Sequence, residues 1–386
     1  MRIDVEKLIS DEDKAHSLIV NKIIQEEIQA KGHMPFSRFM ELALYAPGQG
    51  YYTGGAQKFG SAGDFTTAPE ISPMFSWCIA RQCQQVMMQL DNASILEFGA
   101  GSGVMALEIM RELRRLKCLP EHYYILELSA ELQQRQKILF EKEEPELLSH
   151  IKWLSELPQE SFNGVILANE VLDAMPVHKF RIGSEVEEFK VGCDGEETFE
   201  WKVDKQSTPQ LQNAVDGLDC QFEEGYESEL NLLLPSWMAA LAKILNEGLV
   251  LLIDYGFPRH EYYHPDRSTG TIMCHLKHHA HTDPLLYPGV QDITAHVDFT
   301  AVAESADQSG FEISGYTQQA YFLMNCGLAE MLPSPDDIEV YYGATQQVKT
   351  LTLPSEMGEL FKVMALTKGF DEVLLGFVAM DQLNKL

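Results

Sequence analysis

The chain has few basic residues for its size. Its 386 residues include 29 Lys and Arg against 58 Asp and Glu, which gives a formal net charge of −29. Such an acidic excess argues against non-specific binding to nucleic acid or to anionic membrane surfaces, because both need positive charge on the protein. It permits a basic protein partner, although solubility alone is a sufficient explanation of the acidity.

Paired cysteines and long apolar runs are also missing. Seven cysteines, an odd number, occur without a C-x-x-C pair, which is typical of reduced thiols in a cytosolic protein. No apolar run approaches the length of a membrane span. The acidic, polar start Met1–Glu6 does not resemble a signal or transit peptide. We therefore expect a cytoplasmic protein with no membrane partner.

Several motifs of common enzymes are absent. The sequence has no G-x-S-x-G, H-E-x-x-H or P-loop lysine motif, which removes the common hydrolase and NTPase interpretations. His275, His278, His279 and His281 are close in sequence, but their spacing fits no common metal motif and no cysteine pair completes it. We expect a solvated loop there and no metal.

One glycine-rich segment is the most informative feature that is present. Glu97 and Phe98 end an apolar run and precede Gly99, Gly101 and Gly103, after which the pattern becomes helical. A strand, a tight turn and a helix N-terminus of this kind let a nucleotide-like cofactor approach bare backbone. Val104 breaks the dinucleotide fingerprint G-x-G-x-x-G. The G-x-G-x-G spacing favours S-adenosylmethionine (SAM), and Glu97 would reach the cationic amino group of this cofactor. The alternative is that the turn only tightens the packing of the strand on the helix.

Strands and helices alternate after this segment, which predicts an α/β fold with a parallel sheet wrapped by helices. The pattern predicts strands at 123–128, 151–154, 165–168, 249–254, 311–316 and 373–380, and a helix at 130–143. We divide the chain into an N-terminal helical region with a substrate and cofactor loop (1–90), a cofactor-binding core (91–184), an inserted β-hairpin and helix (185–245) and the remainder of the core (246–386).

Polar side chains follow the predicted strands, at the edge where ligands of open α/β sheets bind. Glu127 ends the second strand and is placed to accept hydrogen bonds from ribose hydroxyls, unless it is merely an exposed strand-end acid. Asn169, Glu170 and Asp173 follow the fourth strand, where Asn169 or Asp173 would otherwise cap the next helix. Two carboxylates there suit a guanidinium. The remaining candidate substrate-binding residues are Asp64, Phe65 and His296.

These residues together resemble one family, the MidA-like methyltransferases, which include the mitochondrial complex I assembly methyltransferase. The resemblance runs along nearly the whole chain. Its motifs are Gly50-Tyr51-Tyr52, Gly63-Asp64-Phe65, Leu96–Gly103, Ile125–Ser129, Ala168–Ala174, Asp254-Tyr255-Gly256 and Asp292–Phe299.

The resemblance implies a seven-stranded, Rossmann-like methyltransferase fold, SAM as cofactor and protein arginine N-methylation as activity. It places the cofactor on Glu97, Gly99, Gly101, Gly103 and Glu127, and the substrate on Asp64, Asn169, Glu170 and Asp173. The partner would be a protein substrate, with a subunit of a respiratory-type complex as one candidate. The resemblance leaves open whether the protein forms an oligomer. A small-molecule O- or N-methyltransferase and a SAM-binding assembly chaperone are the alternatives, and a nicotinamide dehydrogenase comes last.

Overall fold

The computed structural model describes residues 8–54, 67–194 and 198–386. The α-helices, in chain order, are α1 (Asp11–Lys31), α2 (Phe36–Tyr45), α3 (Ala68–Ile71), α4 (Pro73–Met87), α5 (Val104–Arg115), α6 (Ala130–Glu143), α7 (Pro209–Asp216), α8 (Leu234–Ile244), α9 (Arg259–Tyr262), α10 (Phe299–Gln308), α11 (Gln319–Asn325), α12 (Ile338–Thr352) and α13 (Met357–Leu360).

The strands, numbered in the same way, are β1 (Met34–Pro35), β2 (Ser94–Phe98), β3 (Tyr123–Leu126), β4 (Ile151–Leu154), β5 (Phe162–Asn169), β6 (His178–Ile182), β7 (Val186–Asp194), β8 (Thr198–Lys205), β9 (Glu227–Leu230), β10 (Leu245–Phe257), β11 (Met273–Leu276), β12 (His279–His281), β13 (Asp292–Thr294), β14 (Val297–Asp298), β15 (Glu312–Gln318) and β16 (Phe361–Lys368). None of the described helices is both long and apolar enough to cross a membrane.

The chain forms two compact units. The first contains residues 8–54, 173–234 and 257–298, and the second contains residues 67–172, 235–256 and 299–386. This grouping differs from the division that we drew from the sequence. The chain passes from the second unit to the first between Leu172 and Asp173, inside the polar segment that follows β5.

The second unit contains a mixed α/β sheet. Seven strands follow one another in the order β15-β16-β10-β5-β2-β3-β4. The strands β10, β5, β2, β3 and β4 are parallel neighbours, and β16 runs antiparallel to β10 and β15. Residues Ser94–Phe98 of β2 are all buried, as expected for a parallel strand covered on both faces. The main core packs α4 and α5 against this sheet.

The first unit is built on antiparallel strands. Its larger sheet has the order β1-β7-β6-β9, with β8 paired to β7, and a smaller sheet has the order β12-β11-β13. Aromatic contacts join α2 to the β7–β8 hairpin, with Phe36 packed on Trp201 and Phe39 on Phe199 at ring-centroid distances of 5.1 and 5.5 Å. A capping box formed by Ser10 and Asp13 begins α1.

The predicted α/β methyltransferase fold class is confirmed. The hairpin predicted after residue 185 is present as β7 and β8, and the helix predicted at 130–143 coincides with α6. The strand predicted at 373–380 is wrong, because this segment contains a 3₁₀ helix, Leu375–Phe377. Its apolar side chains Leu374 and Phe377 are buried in the main core without joining the sheet.

Two glycines set the close approach of the central strands. Gly164 of β5 is paired with Ser94 of β2 and with Gly248 of β10. A Cβ at Gly164 would lie 1.9 Å from the Ser94 carbonyl oxygen, and its φ of +142° is a conformation that side chains rarely adopt. Only glycine fits this position without displacing a neighbouring strand.

We therefore expect Gly164→Ala to lower the free energy of unfolding by at least about 3 kcal/mol, through steric overlap and backbone strain. The matched control is Gly343→Ala in α12, where an added Cβ meets nothing within 4 Å. That change should stabilise the protein by about 0.5–1 kcal/mol. Chemical denaturation of both variants measures the difference, and equal effects would contradict the proposed packing.

Candidate functional site

The glycine-rich segment forms a tight turn between β2 and α5. Gly99, Gly101 and Gly103 have φ values of 61°, 56° and 85°, which glycine adopts without strain. The Gly99 amide donates to the Leu126 carbonyl at 3.0 Å, and the Gly103 amide donates to the Ala100 carbonyl at 2.8 Å. The predicted strand, turn and helix are therefore present, with backbone rather than side chains at the three glycine positions.

A carboxylate from α3 holds this turn from outside. The Ser102 hydroxyl donates a hydrogen bond to Glu70 Oε1. The same hydroxyl accepts a hydrogen bond from the Val104 amide at 3.4 Å, at the start of α5. Glu70 was not among the predicted site residues, because a glutamate in a short turn-rich stretch has no distinguishing spacing.

Glu97 is buried below the turn. Its carboxylate accepts a hydrogen bond from the Tyr123 hydroxyl at 2.8 Å, and the residue is 1% exposed. Burial raises the pKa of the Glu97 carboxyl to about 8, the Tyr123 hydrogen bond opposes this shift and the nearby Glu127 adds to it. A cationic group beside Glu97 would lower this pKa again, so the predicted contact with an ammonium group stays a chemically sound prediction.

Glu127 lies at the carboxyl end of β3 and is buried, whereas one alternative made it an exposed acid. Its Oε1 accepts the Ser129 amide at 2.9 Å. Its Oε2 accepts the side-chain amide of Gln136 at 3.4 Å. The carboxylate is thus fixed at the edge of the sheet, one strand away from the glycine turn.

Gln136 connects the turn to this carboxylate, and sequence reasoning missed it. Its Nε2 also donates to the Gly101 carbonyl at 2.9 Å, and its Oε1 accepts from the Trp153 indole at 2.9 Å. The side chain is completely buried and lies so close to Gly103 that an added Cβ would meet it at 3.0 Å. The amide nitrogen therefore contacts both predicted cofactor elements, and the amide oxygen anchors the side chain on Trp153.

The segment after β5 is held by a second buried carboxylate. Asp254 of β10 accepts the Val171 and Leu172 amides through Oδ2 at 3.2 and 2.9 Å, and the Tyr255 amide through Oδ1 at 2.9 Å. Asp254 is completely buried. The Asp254-Tyr255-Gly256 motif thus supplies the acceptor that shapes the turn after Asn169.

The backbone of Glu170 is unusual. Its φ is 53°, in the left-handed region that side chains other than glycine seldom occupy. Its amide donates to the Ile253 carbonyl at 2.9 Å, and its Oε1 accepts the Asn169 side-chain amide at 3.2 Å. Non-glycine residues in this conformation concentrate at functional sites. The structure therefore brings Asn169 and Glu170 together at the carboxyl end of β5.

Within the same turn, one polar atom lacks a protein acceptor or donor. Asn169 Oδ1 is buried and has no hydrogen-bond partner within the described ranges. Buried polar atoms are normally satisfied, so an unsatisfied one in a strand-end turn is compatible with a ligand donor.

The other predicted residues do not belong to the described part of the second unit. Asp173 and His296 belong to the first unit, where the Asp173 carbonyl accepts the Ala295 amide at 2.9 Å. The His296 ring stacks on Phe257 with ring centroids 5.3 Å apart, and its amide donates to the Thr271 hydroxyl at 3.1 Å. Asp64 and Phe65 lie outside the described residues. The role of each stays a prediction.

The first unit adds a polar group from two motifs of the family resemblance, to which the sequence assigned no role. Tyr52 donates to Asp292 Oδ1 at 2.8 Å and stacks on Tyr45 with centroids 5.5 Å apart. Burial, followed by the charges of Asp292 and Asp173, holds the Tyr52 pKa well above its usual value. Tyr52 therefore acts as a hydrogen-bond donor and not as a phenolate.

Of the predicted histidine cluster, His279 and His281 lie in β12 and His275 in β11. In the parts of the chain that the structure describes, no group of three or more His, Cys, Asp or Glu side chains is arranged to hold a metal ion.

The raised pKa of Glu97 makes a prediction for stability. The folded protein keeps the Glu97 proton up to about pH 8, whereas the ordinary value is 4.5. The folded state therefore binds more protons between these values, and the free energy of unfolding falls as the pH rises through this window. Glu97→Gln lacks this titration, so the melting temperature of the variant relative to that of the wild type should rise from pH 5 to pH 8.

Calorimetric melting curves across this range, without cofactor, measure the effect. The exposed Glu156→Gln variant is the control and should follow the wild type at every pH. A constant difference between Glu97→Gln and the wild type would show that the Glu97 carboxyl is already ionised at pH 5.

Comparisons with known proteins agree with the geometry. Residues 78–317 match the model of the family described as "Putative S-adenosyl-L-methionine-dependent methyltransferase". A solved structure from Burkholderia thailandensis, bound to S-adenosyl-homocysteine, is 39% identical with a TM-score of 0.93 and covers 98% of this chain and 99% of its own.

Curated relatives match along most of the chain. The "Protein arginine methyltransferase NDUFAF7 homolog, mitochondrial" of Drosophila melanogaster is 28% identical, over 90% of this chain and 84% of the relative. The "Protein arginine methyltransferase NDUFAF7, mitochondrial" of Danio rerio is 27% identical, over 88% of this chain and 85% of the relative. The prediction of a cytoplasmic location is wrong on this comparison, because these relatives are named mitochondrial.

The predicted cofactor and enzyme class are confirmed by the same findings. The family match spans more than half of the chain, and the solved relative with bound S-adenosyl-homocysteine covers nearly all of it. The chain belongs to this family of SAM-dependent methyltransferases.

Proposed function

We propose that this enzyme transfers a methyl group from SAM to an arginine nitrogen of a protein substrate. The observation that carries the proposal is the match, along about nine-tenths of the chain, to relatives named protein arginine methyltransferase. The net charge of −29 supports it, because an acidic protein attracts basic, arginine-containing segments.

The described residues of the second unit fit the cofactor. The glycine turn offers backbone without a Cβ at Gly99, Gly101 and Gly103, and Gly99 is exposed. Glu127, fixed by the Ser129 amide and by Gln136, is proposed to accept the ribose hydroxyls. Glu97 is proposed to receive the amino group, in which case it would bind as a carboxylate and release its proton.

When bound, SAM supplies a methyl group already activated on a sulfonium, so the chain needs no covalent catalysis of its own. Its residues have to align the nucleophile and exclude water. Glu170 is proposed to hold the guanidinium and to concentrate its charge away from the attacking nitrogen, and a substrate role for Asp173 stays a prediction. Asn169 is proposed to orient substrate or cofactor through its buried Oδ1. Asp254 holds the chain that follows Asn169 and Glu170 through the Val171 and Leu172 amides that it accepts.

Gln136 allows a test of the cofactor site. Gln136→Leu removes the donor to Gly101 and Glu127 and leaves the Trp153 indole unpaired. We expect SAM affinity to fall about tenfold, equivalent to the loss of about 1–2 kcal/mol of positioning. The SAM affinity of Gln136→Glu should fall further, because this change places a carboxylate next to the Glu127 carboxylate and the Gly101 carbonyl.

Titration calorimetry with SAM and with S-adenosyl-homocysteine measures these affinities. Gln134→Leu is the matched control, because Gln134 is exposed on the same helix α6. Unchanged SAM affinity in Gln136→Leu would show that Gln136 does not position the cofactor site.

Glu170 and Asp254 allow a test of methyl transfer. Labelled SAM is incubated with an extract of cells that lack the gene, together with the purified enzyme. We expect a labelled protein band whose peptides carry methylarginine. Glu170→Gln and Asp254→Asn should keep SAM affinity within about threefold but lower the rate of transfer at least about tenfold, because they act on alignment of the nucleophile.

Glu156→Gln, an exposed acid of the same unit, should transfer at the wild-type rate. Label confined to small molecules would favour a small-molecule methyltransferase. SAM binding without any transfer would favour an assembly chaperone. Mass spectrometry of the labelled band also tests the finer proposal that the substrate is a subunit of a respiratory-type complex, and gel filtration tests for an oligomer.

A further inference from the structure

Three side chains of the first unit form a hydrogen-bonded relay that the methyltransferase site does not use. Ser37 lies in α2, His178 begins β6 and Glu188 lies in β7. The Ser37 hydroxyl is 3.2 Å from His178 Nε2, and His178 Nδ1 is 2.6 Å from Glu188 Oε1. A nucleophile, a base and a group that orients the base are therefore within hydrogen-bonding reach of one another.

Glu188 is a fixed, charged end of this relay. Its side chain is completely buried, and it accepts hydrogen bonds from the Ser207 amide and from the Ser207 hydroxyl, the latter at 3.1 Å. Burial opposes ionisation, but the hydrogen bonds from His178 and Ser207 outweigh it and lower the pKa of Glu188. The carboxylate can only accept, so Nδ1 of His178 carries a proton and donates it to Glu188.

This arrangement fixes the tautomer of the neutral imidazole. With the proton on Nδ1, Nε2 carries the lone pair and accepts the hydrogen bond of the Ser37 hydroxyl. A hydroxyl held in this way gives its proton to Nε2 as its oxygen attacks an electrophile. The same division of roles occurs in serine hydrolases on unrelated folds, where it is recognised by geometry and not by sequence position.

The position of Ser37 in the chain adds to its reactivity. It is the second residue of α2, a helix of 10 residues. The first amides of a helix have no partner within the helix and point towards its N-terminus, where they stabilise negative charge. Ser37 is partly exposed, and the His178 side chain retains 14% exposure.

We propose that Ser37 is an activated nucleophile, with His178 as its base and Glu188 as its orienting carboxylate, and that it accepts acyl groups from carboxylic esters. Ser37 Oγ forms a bond to the carbonyl carbon while its proton passes to His178 Nε2. The carbon–oxygen bond of the ester breaks, and the leaving alkoxide takes the proton from His178. Water, deprotonated by His178, then hydrolyses the acyl–Ser37 ester and restores the hydroxyl.

The test uses a fluorophosphonate probe on the full-length protein, with the site of modification mapped by peptide mass spectrometry. We expect one adduct, on Ser37, and a release of p-nitrophenol from p-nitrophenyl acetate that Ser37→Ala abolishes. His178→Gln should slow labelling at least about 100-fold, since a general base contributes about 10²–10⁴. Ser10, an exposed serine that caps α1 without a histidine partner, serves as the internal control and should stay unmodified.

The melting curve of each variant, followed by circular dichroism, reports whether both units are folded. Loss of labelling in a variant that melts as the wild type does supports the relay. No Ser37 adduct on the wild type, or labelling at the same rate in His178→Gln, would overturn the proposal and leave the three residues as a tie between α2 and the sheet. These outcomes do not depend on the methyl acceptor.

Discussion

The register of the parallel strands β2, β5 and β10 determines where the candidate site of the second unit lies. Gly164 faces Ser94 on one side and Gly248 on the other, with no room for a side chain. This contact aligns the strands, so the glycine turn and the Asn169–Glu170 turn lie at one edge of the sheet. A slip of one residue would exchange the faces of the sheet. Glu97 would then leave Tyr123, and Asp254 would no longer face the amides of Val171 and Leu172.

Three buried carboxylates at this edge differ in how they are satisfied. Asp254 accepts three backbone amides, and Glu127 accepts one amide and the Gln136 side chain. Glu97 has the Tyr123 hydroxyl and a pKa raised to about 8. Hydrogen bonds to the charged form favour ionisation, whereas burial opposes it. Asp254 is therefore suited to shape backbone and Glu127 to accept hydroxyls, while Glu97 would gain its charge if a cation bound beside it.

Much of this site could be predicted from the sequence, because the signals are local. Glycines at alternate positions after an apolar strand define a turn, and acids at strand ends point to the ligand edge. Gln136 could not be predicted, since a glutamine within a helix has no local signal and acts only through Gly101, Glu127 and Trp153. Glu170 and Asp173 are three residues apart in the sequence but belong to different compact units, because the chain leaves the sheet after Leu172.

The first unit shows how similar buried carboxylates take different roles. Glu229 and Glu188 are both completely or almost completely buried in the same antiparallel sheet. Glu229 Oε2 accepts hydrogen bonds from the amide and the hydroxyl of Thr271. Glu229 Oε1 lies 3.4 Å from the Lys179 ammonium. The Lys179 cation also lies 3.4 Å from the Glu227 carboxylate, and a cation close to a buried carboxylate compensates its charge. The network of Glu188 continues instead through His178 to the hydroxyl of Ser37, which is partly exposed. The second network ends in a hydroxyl with a base beside it, and this difference separates an ion-pair network from a relay that can react with an external electrophile.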